Sequence, residues 1–463
     1  MAGKTHEMDL TTGSIFGKLI RFAIPLILMN MLQLLFNATD IAILGIFVSD
    51  MAVGAVGANT TLIHLIVNLF IGFSVGTNVV LSKCVGSGNK EKARKVVGTS
   101  VLMSLIIGTA LVFVGFFGAE TFLTWMGCDP ILIEDATLYL KIYFLGMPII
   151  MLYNFLAAIM RAVGDTTRPM LFLLIAGVVN VGLNIFFILV FDMTVDGVAI
   201  ATVTSQAISA VLSLIVIVRS KGYGKLKFSC LRIYKKEFVD IIKVGLPSGL
   251  QSAMFSISNV LIQATVNSFG AAATTGNSVA SQFDAIVYTV GNSLALACMS
   301  FVSQNYGAGK MNRVKEVIIK TFILIFVLEL SVGIIVILLC DPLCRIMTSS
   351  PEVLRFAKER LIFLSSIYFF CGFMDALSYA LRSLGKSTTA MIISLCCVCV
   401  FRVLWLNTAY LLNPTFLMIF ISYPISWVLS IIVDFAVLIP TMKKINVKLK
   451  KEQPKTEELA EIA

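Results

Sequence analysis

Long apolar stretches recur along the whole chain, and short polar segments separate them. Residues 96–119, 170–191, 197–218 and 413–433 are four such stretches that contain no charged residue. Each reaches the roughly 20 residues that a helix needs to cross a bilayer. The stretches are apolar on every face, whereas the strands of a membrane β-barrel alternate between apolar and polar residues. The pattern therefore predicts an all-α integral membrane protein.

The same pattern predicts twelve transmembrane helices. Only 13% of the 463 residues are charged and 58% are hydrophobic, whereas roughly 25% of the residues of a soluble domain are charged. The first apolar stretch, 22–39, lacks the small-residue cleavage site of a secretory signal, so we expect it to remain as the first helix. The predicted helices cover residues 19–47, 53–80, 97–118, 137–160, 169–191, 197–218, 244–268, 280–303, 317–340, 358–381, 388–410 and 416–440.

The charges between the predicted helices indicate their orientation. With the amino terminus placed in the cytoplasm, the basic segments fall on the cytoplasmic side, in agreement with the positive-inside rule. These segments are 83–95, 161–168, 219–236, 310–315, 382–386 and 443–455. One outer connection, 341–360, departs from the pattern because it holds four basic residues. We expect a multi-pass protein of the cell membrane with both termini in the cytoplasm, whose net charge of +10 reflects topology and not binding to nucleic acid.

An internal repeat divides the helices into two sets of six. The Gly-x-Gly pair at Gly86 recurs 221 residues later at Gly307, and the motif that begins at Arg161 recurs at the same offset from Arg382. Because each repeat holds an even number of helices, both begin on the same side of the membrane, and a pseudo-twofold axis along the membrane normal relates them. The predicted domains are an amino-terminal six-helix bundle at 1–218, a cytoplasmic linker at 219–240, a carboxy-terminal six-helix bundle at 241–440 and a cytoplasmic basic tail at 441–463.

Two parallel bundles favour a transporter, because alternating access rocks one bundle against the other around a central cavity. The repeated glycines lie in short loops between apolar helices, and no soluble segment is long enough for a nucleotide-binding domain. ATP is therefore not the expected energy source, which leaves an ion gradient. The ten cysteines show no spacing typical of a zinc site, so no metal site is expected from them.

Polar residues inside the first predicted helix indicate where ion coupling occurs. Asn30, Gln33, Asn37 and Asp40 are spaced by three, four and three residues, which places them on one helical face that we expect to face the bundle interior. A carboxylate within a span costs about 2.5–3.5 kcal/mol on insertion scales. Asp40 is therefore interpreted as a site that binds H⁺ or Na⁺ in one state and releases it in the other, with a hydrogen-bonded packing role as the alternative.

Three further polar residues are candidates for the same site. Asn180 and Asn184 lie four apart on one face of the fifth predicted helix, and Thr202 lies in the sixth. Together they would complete an oxygen-rich pocket around the carboxylate. Amide packing between helices is an equal alternative for these residues.

The second half contains several ionisable residues at membrane depth. Asp284, Glu329, Asp375 and Asp434 are the acids, and Arg402 is interpreted as the single deep base. We expect Arg402 to pair with an acid, and Asp375 is the preferred partner because Asn154, its equivalent in the first repeat, is also polar. Glu329 and Asp434 have either a role in transport or a position at the membrane interface.

These features resemble the multidrug and toxic compound extrusion (MATE) family of bacterial type. The resemblance covers nearly the whole chain. It rests on the twelve helices, Asp40 in the first of them, Pro25 and Pro247 at the two repeat starts, and Arg-x-x-Gly-x-Thr/Ser-Thr at Arg161 and Arg382. It implies a V-shaped pair of bundles of the MATE/MOP type, acting as a monomer without a cofactor, that exports small cationic or amphipathic organic molecules in exchange for H⁺ or Na⁺.

The resemblance also assigns roles to individual residues. Asp40, Asn180 and Thr202 match the cation and proton site of the family's amino lobe, whereas Asn184 departs from it, because some members have a second aspartate there. Members with a carboxy-lobe Na⁺ site have an acid in the seventh helix, and residues 244–282 contain none. Coupling through Asp40 is therefore expected, with H⁺ preferred to Na⁺.

Two alternatives to a drug antiporter stay open at this stage. A flippase for lipid-linked oligosaccharide or peptidoglycan precursors, from the same superfamily, would need several basic residues in its cavity to hold a pyrophosphate. A membrane-embedded enzyme or a receptor without transport would need a clustered catalytic set or a large extramembrane domain. The sequence shows neither a clustered catalytic set nor a large extramembrane domain, so an enzyme is not expected.

Overall fold

The computed structural model describes residues 7–461 and, within that range, all side chains except those at 61, 64 and 451–461. Every regular element of this part of the chain is helical, which confirms the all-α prediction. Residues 1–6 of the predicted first domain and residues 462–463 of the predicted tail lie outside the described residues.

The first half of the chain contains seven α-helices and one short 3₁₀ turn. The helices are α1 (Ile15–Phe47), α2 (Asp50–Gly86), α3 (Lys90–Trp125), α4 (Ile133–Leu145), α5 (Met147–Ala162), α6 (Thr167–Phe191) and α7 (Val195–Arg219), and the turn is Phe228–Cys230. The predicted linker at 219–240 is therefore irregular only in part, because the next helix begins at Lys235.

The second half contains ten α-helices and one π-helical segment. The α-helices are α8 (Lys235–Asn267), α9 (Ala271–Gly307), α10 (Met311–Leu338), α11 (Cys340–Met347), α12 (Pro351–Ser365), α13 (Phe369–Ser383), α14 (Ser387–Ser394), α15 (Phe401–Asn407), α16 (Ala409–Leu412) and α17 (Phe416–Glu461). The π-helical segment, Leu395–Val400, lies between α14 and α15 in one continuous span.

Each of the twelve predicted spans corresponds to a helix or to a set of consecutive helices. Two of them are broken, since α4 meets α5 at 50° and α12 meets α13 at 50°. Pro148, in the first turn of α5, has no backbone N–H to continue a helix across the first of these breaks. The structure also extends most spans beyond the predicted bounds, because a hydropathy pattern detects only the apolar part of a helix.

Eleven of the twelve spans are long and apolar enough to cross a membrane, when each bent pair is counted once and only residues 7–461 are considered. The exception is α8, which has a polar face that includes Gln251, Ser252, Ser258 and Asn259. Its 33 residues still match the length of the other long spans.

The described chain folds into two compact units, each with its own core. The first contains Arg21–Val85 and Asn89–Ala253, and the second contains Leu10–Ile20, Gly86–Gly88 and Met254–Ala463, apart from masked residues. The domain boundaries given above stay a prediction.

In the first unit, α3 and α5 pack backbone against backbone. Gly108 on α3 lies so close to Pro148 on α5 that a Cβ atom at position 108 would overlap the proline backbone. Small residues permit such close helix contacts in membranes, where van der Waals packing and not the hydrophobic effect holds helices together.

In the second unit, α9 is the central helix, with α10, α12 and α13 packed around it. Aromatic rings fill the space between α12 and α17. The ring centroids of Phe356 and Phe416 lie 4.8 Å apart, and those of Phe416 and Phe420 lie 5.1 Å apart in an edge-to-face arrangement.

The segment that precedes α1 is also held in the second unit. Asn305 Nδ2 donates a hydrogen bond to the carbonyl of Leu10 (3.1 Å), and Arg313 Nη1 donates one to the carbonyl of Gly13 (3.2 Å). Between these donors, Gly309 has a φ of 70°, which favours glycine. The second copy of the repeated Gly-x-Gly motif therefore has a structural role in this unit.

We expect Gly108→Ala to destabilise the protein by about 1–3 kcal/mol, because the added methyl group would force α3 and α5 apart. The measurement is thermal unfolding of the purified protein in detergent. Gly57→Ala on α2 is the matched control, since a Cβ there meets no atom within 4 Å. Equal melting temperatures for the two variants would contradict the close contact.

Candidate functional site

The carboxyl group of Asp40 is buried within the first unit. Asp40 lies in the last part of α1 and is 8% exposed. Gly177 on α6 helps to bring the two helices together, since a side chain at this position would overlap the ring of Phe36 on α1. The close approach of α1 and α6 places the carboxyl group opposite the polar face of α6.

Both oxygens of Asp40 accept hydrogen bonds from neutral side chains. Asn184 Nδ2 donates to Oδ1 at 2.6 Å, and Thr202 Oγ1 donates to Oδ2 at 3.3 Å. Asn180 links these two donors: its Nδ2 donates to Thr202 Oγ1 at 3.4 Å, and its Oδ1 accepts from Asn184 Nδ2 at 3.4 Å. The structure thus brings together the four residues for which the sequence predicts an ion-coupling site.

The surroundings of Asp40 hold no compensating cation. Among the described side chains, none of the ion pairs includes Asp40. Tyr139 on α4, which is 6% exposed, lies within electrostatic range of the carboxyl group. No motif marks this tyrosine in the sequence, so hydropathy and residue type alone do not single it out.

Such an arrangement suits a small, exchangeable cation. The carboxyl group can be neutralised by a proton, or its oxygens can bind a hard cation together with amide and hydroxyl oxygens. Asn184 Oδ1 is buried and accepts no hydrogen bond within the described part of the chain, so it is available as a further oxygen ligand. A hydrogen-bonded packing role alone would leave this oxygen unexplained.

The polar stripe on α1 does not face the bundle interior along its full length. Asp40 is buried and Asn30 is partly buried, but Gln33 and Asn37 are exposed. The prediction that all four residues face the interior is therefore wrong for Gln33 and Asn37. Gln33 and Asn37 lie on the same helical face as Asp40, so their greater exposure depends on their position along the helix axis. The partners of Asp40 come from α6 and α7, which do not cover Gln33 and Asn37.

In the second unit, the deep ion pair joins Asp284 on α9 to Arg360 on α12. Arg360 Nη2 lies 2.9 Å from Asp284 Oδ2, and both side chains are buried. Arg360 also donates to the carbonyl of Asn277 at 2.9 Å and lies over the ring of Phe420. The interpretation of Arg402 as the single deep base is therefore wrong. The predicted helix 358–381 includes residue 360, but its charge was counted with the outer connection 341–360, whereas α12 begins at Pro351 and carries the residue into the fold.

The predicted pairing of Arg402 with Asp375 is also wrong. Arg402 lies over the ring of Tyr423 at 3.8 Å from its centroid, and its Nε donates to Ser426 Oγ at 3.2 Å. The π-helical segment just before α15 accounts for the difference. A π turn adds one residue and so rotates every later side chain by about 100° relative to a continuous α-helix.

The three remaining acids that the sequence singles out in the second unit are buried. Asp375 is 7% exposed and accepts a hydrogen bond from Asn292 Nδ2 at 3.2 Å. Asp434 is fully buried and accepts from Ser430 at 3.3 Å, and Glu329 is 1% exposed. Both side chains are therefore enclosed by protein, and the choice between a role in transport and a position at the membrane interface stays a prediction.

Comparison with known proteins identifies the family. The MatE family model matches residues 25–186 and 247–407, one match in each of the two repeats and together more than half of the chain. The chain belongs to the MatE family. The predicted resemblance to this family of membrane transporters is confirmed.

Relatives and solved structures agree with this assignment. The chain is 27% identical over 388 residues to the probable multidrug resistance protein YpnP of Bacillus subtilis, covering 84% of this chain and 86% of the relative. It is 26% identical over 391 residues to the probable multidrug resistance protein NorM of Thermotoga maritima, covering 81% and 82%. The outward-facing structure of a multidrug resistance MATE family transporter of the MOP superfamily superposes with a TM-score of 0.87 at 21% identity, covering 96% of this chain and 99% of that one. The predicted MATE-type membrane fold is thereby confirmed.

We expect Arg360→Met to destabilise the protein by about 3–5 kcal/mol, because it leaves the buried carboxylate of Asp284 without its counter-ion. Thermal unfolding in detergent measures the effect. The double variant Arg360→Met with Asp284→Asn removes both charges and should recover much of the loss. Arg355→Met, at an exposed position of the same helix, is the control and should change little. A single variant as stable as this control would contradict the role of the ion pair.

Proposed function

We propose that this transporter is a secondary-active multidrug antiporter, which exports small cationic or amphipathic organic molecules in exchange for H⁺ and couples the two movements through Asp40. The single observation that carries the proposal is the buried carboxyl group of Asp40, bound by neutral donors and by no cation. Two relatives are named as probable multidrug resistance proteins, and this supports the proposed class of substrate.

A proton on Asp40 links the ion gradient to the substrate. The neutral form of the carboxyl group is favoured while the site is dry, and the charged form is favoured when water reaches it. If the two forms prefer different conformations of the first unit, proton binding on one side of the membrane and release on the other drives the cycle. The free energy available to the substrate is then set by the proton gradient.

H⁺ is the preferred coupling ion, and Na⁺ is the alternative. Asp40 is the only acid in its ring of hydrogen bonds, because position 184 is an asparagine. One carboxylate is sufficient to carry a proton, whereas a second acid would strengthen binding of a metal cation. The oxygen Asn184 Oδ1, which accepts no hydrogen bond, is the feature that favours Na⁺.

The flippase alternative receives less support from the second unit. A pyrophosphate group would require basic side chains that are free to bind it. Arg360 is neutralised by Asp284, and Arg402 is stacked on Tyr423 and bonded to Ser426.

We further propose that the protein is a monomer in the bacterial plasma membrane. The distribution of basic residues supports a topology with both termini in the cytoplasm.

We expect Asp40→Asn to abolish transport driven by a proton gradient while leaving the fold intact, because asparagine keeps the size and the hydrogen-bonding capacity of the residue but cannot exchange a proton. The assay uses proteoliposomes with an acidic lumen and follows the accumulation of the fluorescent cation ethidium. The variant should fall to the level of protein-free liposomes.

Asp50→Asn is the matched control, since Asp50 is an exposed acid at the start of α2. It should transport like the wild type. Replacing the proton gradient with a Na⁺ gradient distinguishes the two ions. Ethidium accumulation by the Asp40→Asn variant at the wild-type rate would remove Asp40 from the mechanism.

A further inference from the structure

The second unit holds a carboxyl group whose surroundings offer it no donor. Glu329 lies in the middle of α10 and is 1% exposed. Neither of its carboxyl oxygens has a hydrogen-bond partner within the part of the chain that the structure describes. None of the ion pairs among the described side chains includes it. A glutamate that only stabilised the fold would be expected to have such partners.

Two glycines on neighbouring helices make room for this carboxyl group. A Cβ atom at Gly291 on α9 or at Gly372 on α13 would overlap Glu329 Oε2. One helical turn further on, Gly333 lets α10 approach the backbone of Ser365 on α12. The carboxyl group therefore occupies a space that only glycine leaves open on both sides.

The charged and titratable groups that act on Glu329 are Asp375 and Cys371, both on α13. α9 faces Glu329 with Gly291, and α12 meets α10 through backbone atoms at Gly333. Within the described part of the chain, no cation is therefore among the groups that act on Glu329. Asp375, in contrast, has donors of its own and can carry the negative charge of the pair.

A short chain of hydrogen bonds connects Asp375 to an exposed position of α9. Asn292 Nδ2 donates to Asp375 Oδ2 at 3.2 Å and to Tyr288 Oη at 3.1 Å. Tyr288 is 40% exposed, Asn292 is partly buried, Asp375 is 7% exposed and Glu329 is 1% exposed. The hydroxyl group of Tyr288 and the carboxyl group of Asp375 can each carry a proton, and Asn292, which donates to both, holds them together between the exposed position and the surroundings of Glu329.

The physical chemistry of this pair requires the deeper acid to be neutral. An ionised carboxyl group that is buried without a donor or a counter-ion is strongly unfavourable, and a second negative charge nearby makes it more so. Two interacting acids then share their protons, so that one is neutral while the other is charged. Glu329, which has no donor within the described part of the chain, is the acid of the pair that favours the neutral form, and Asp375, which has a donor, is the one that can better hold the charge.

We propose that Glu329 is a second coupling site, which takes up and releases one proton in each transport cycle, with the neighbouring acid Asp375 and the hydroxyl group of Tyr288 as its route to the exposed surface. The proposal rests on the antiport function proposed above and adds a site in the second unit. Asp40 and Glu329 together would move two protons for each exported molecule. When that molecule is a monovalent cation, one net positive charge crosses the membrane in each cycle.

Net charge movement gives the proposal a measurable consequence, because transport must then respond to membrane voltage. Proteoliposomes with an acidic lumen accumulate ethidium while protons leave the lumen. A lumen-positive potential, set by potassium and valinomycin, should accelerate this accumulation in the wild type. The passive leak of a cation responds in the opposite direction, so the two effects cannot be confused.

We expect Glu329→Gln to retain accumulation driven by the pH gradient and to lose its response to voltage, because one proton then exchanges for one monovalent cation. Glu316→Gln, on the exposed face of the same helix, is the matched control and should respond to voltage like the wild type. A wild type without a voltage response, or a Glu329→Gln variant with the full response, would overturn the proposal. Transport that survives Asp40→Asn would instead overturn the proposed function.

A second measurement is needed if the Glu329→Gln variant folds but does not transport. Infrared difference spectroscopy of the purified protein supplies it, because it detects protonated carboxyl groups directly. The wild type should show a carbonyl band of a protonated carboxyl group that changes on binding of ethidium, and this component should be missing from the variant. A wild-type band that belongs to Glu329 but does not respond to ethidium would show a permanently protonated structural residue, and the proposal would fail.

Discussion

The constraint on which this structure depends is that a carboxylate in a dry interior must be neutralised. In the first unit, Asp40 is surrounded by the side chains of Asn180, Asn184 and Thr202, which are dipoles and not charges. Dipoles lower the free energy of the ion without removing the need for a counter-charge. Such a site can adopt an empty charged form and a neutral form that contains a cation, and the proposed antiport would use the exchange between these two forms.

The second unit contains the contrasting solution to the same problem. Asp284 is neutralised by Arg360, whose Nη1 also donates to the carbonyl of Asn277. Such a pair can stabilise an arrangement of α9 and α12, but it offers no vacancy for an exchangeable cation. The two buried acids differ in the type of partner that they have: Asp284 has a cation, and Asp40 has a set of neutral donors. We use this difference to distinguish an acid with a structural role from one that can exchange a cation.

Hydropathy and the repeat were sufficient to predict the spans and their division into two sets, since bilayer thickness imposes the length of each apolar stretch. The four residues of the Asp40 site were also found from sequence, through their helical spacing and through the resemblance to the family.

The predictions that are wrong have local physical causes. The π turn at Leu395–Val400 rotates Arg402 away from Asp375, and neither hydropathy nor residue type reveals such a turn. The charge of Arg360 was counted with an outer connection because the start of α12 carries charges that resemble those of a connection.

The two repeats also differ in where they place their unpaired acids, which argues for a division of work between them. At the repeat offset of 221–222 residues, Asp40 corresponds to Ile262 in the second half, and Glu329 corresponds to Gly108 in the first. Gly108 has no room for a side chain, because α3 lies directly against Pro148 of α5. At the corresponding place in the second unit, Gly291 and Gly372 open the space that the carboxyl group of Glu329 occupies. Close backbone packing in one repeat has thus been exchanged for a buried acid in the other. An acid inside a transmembrane helix makes insertion into the membrane less favourable. Packing alone is therefore not sufficient to explain the presence of Glu329 in this helix.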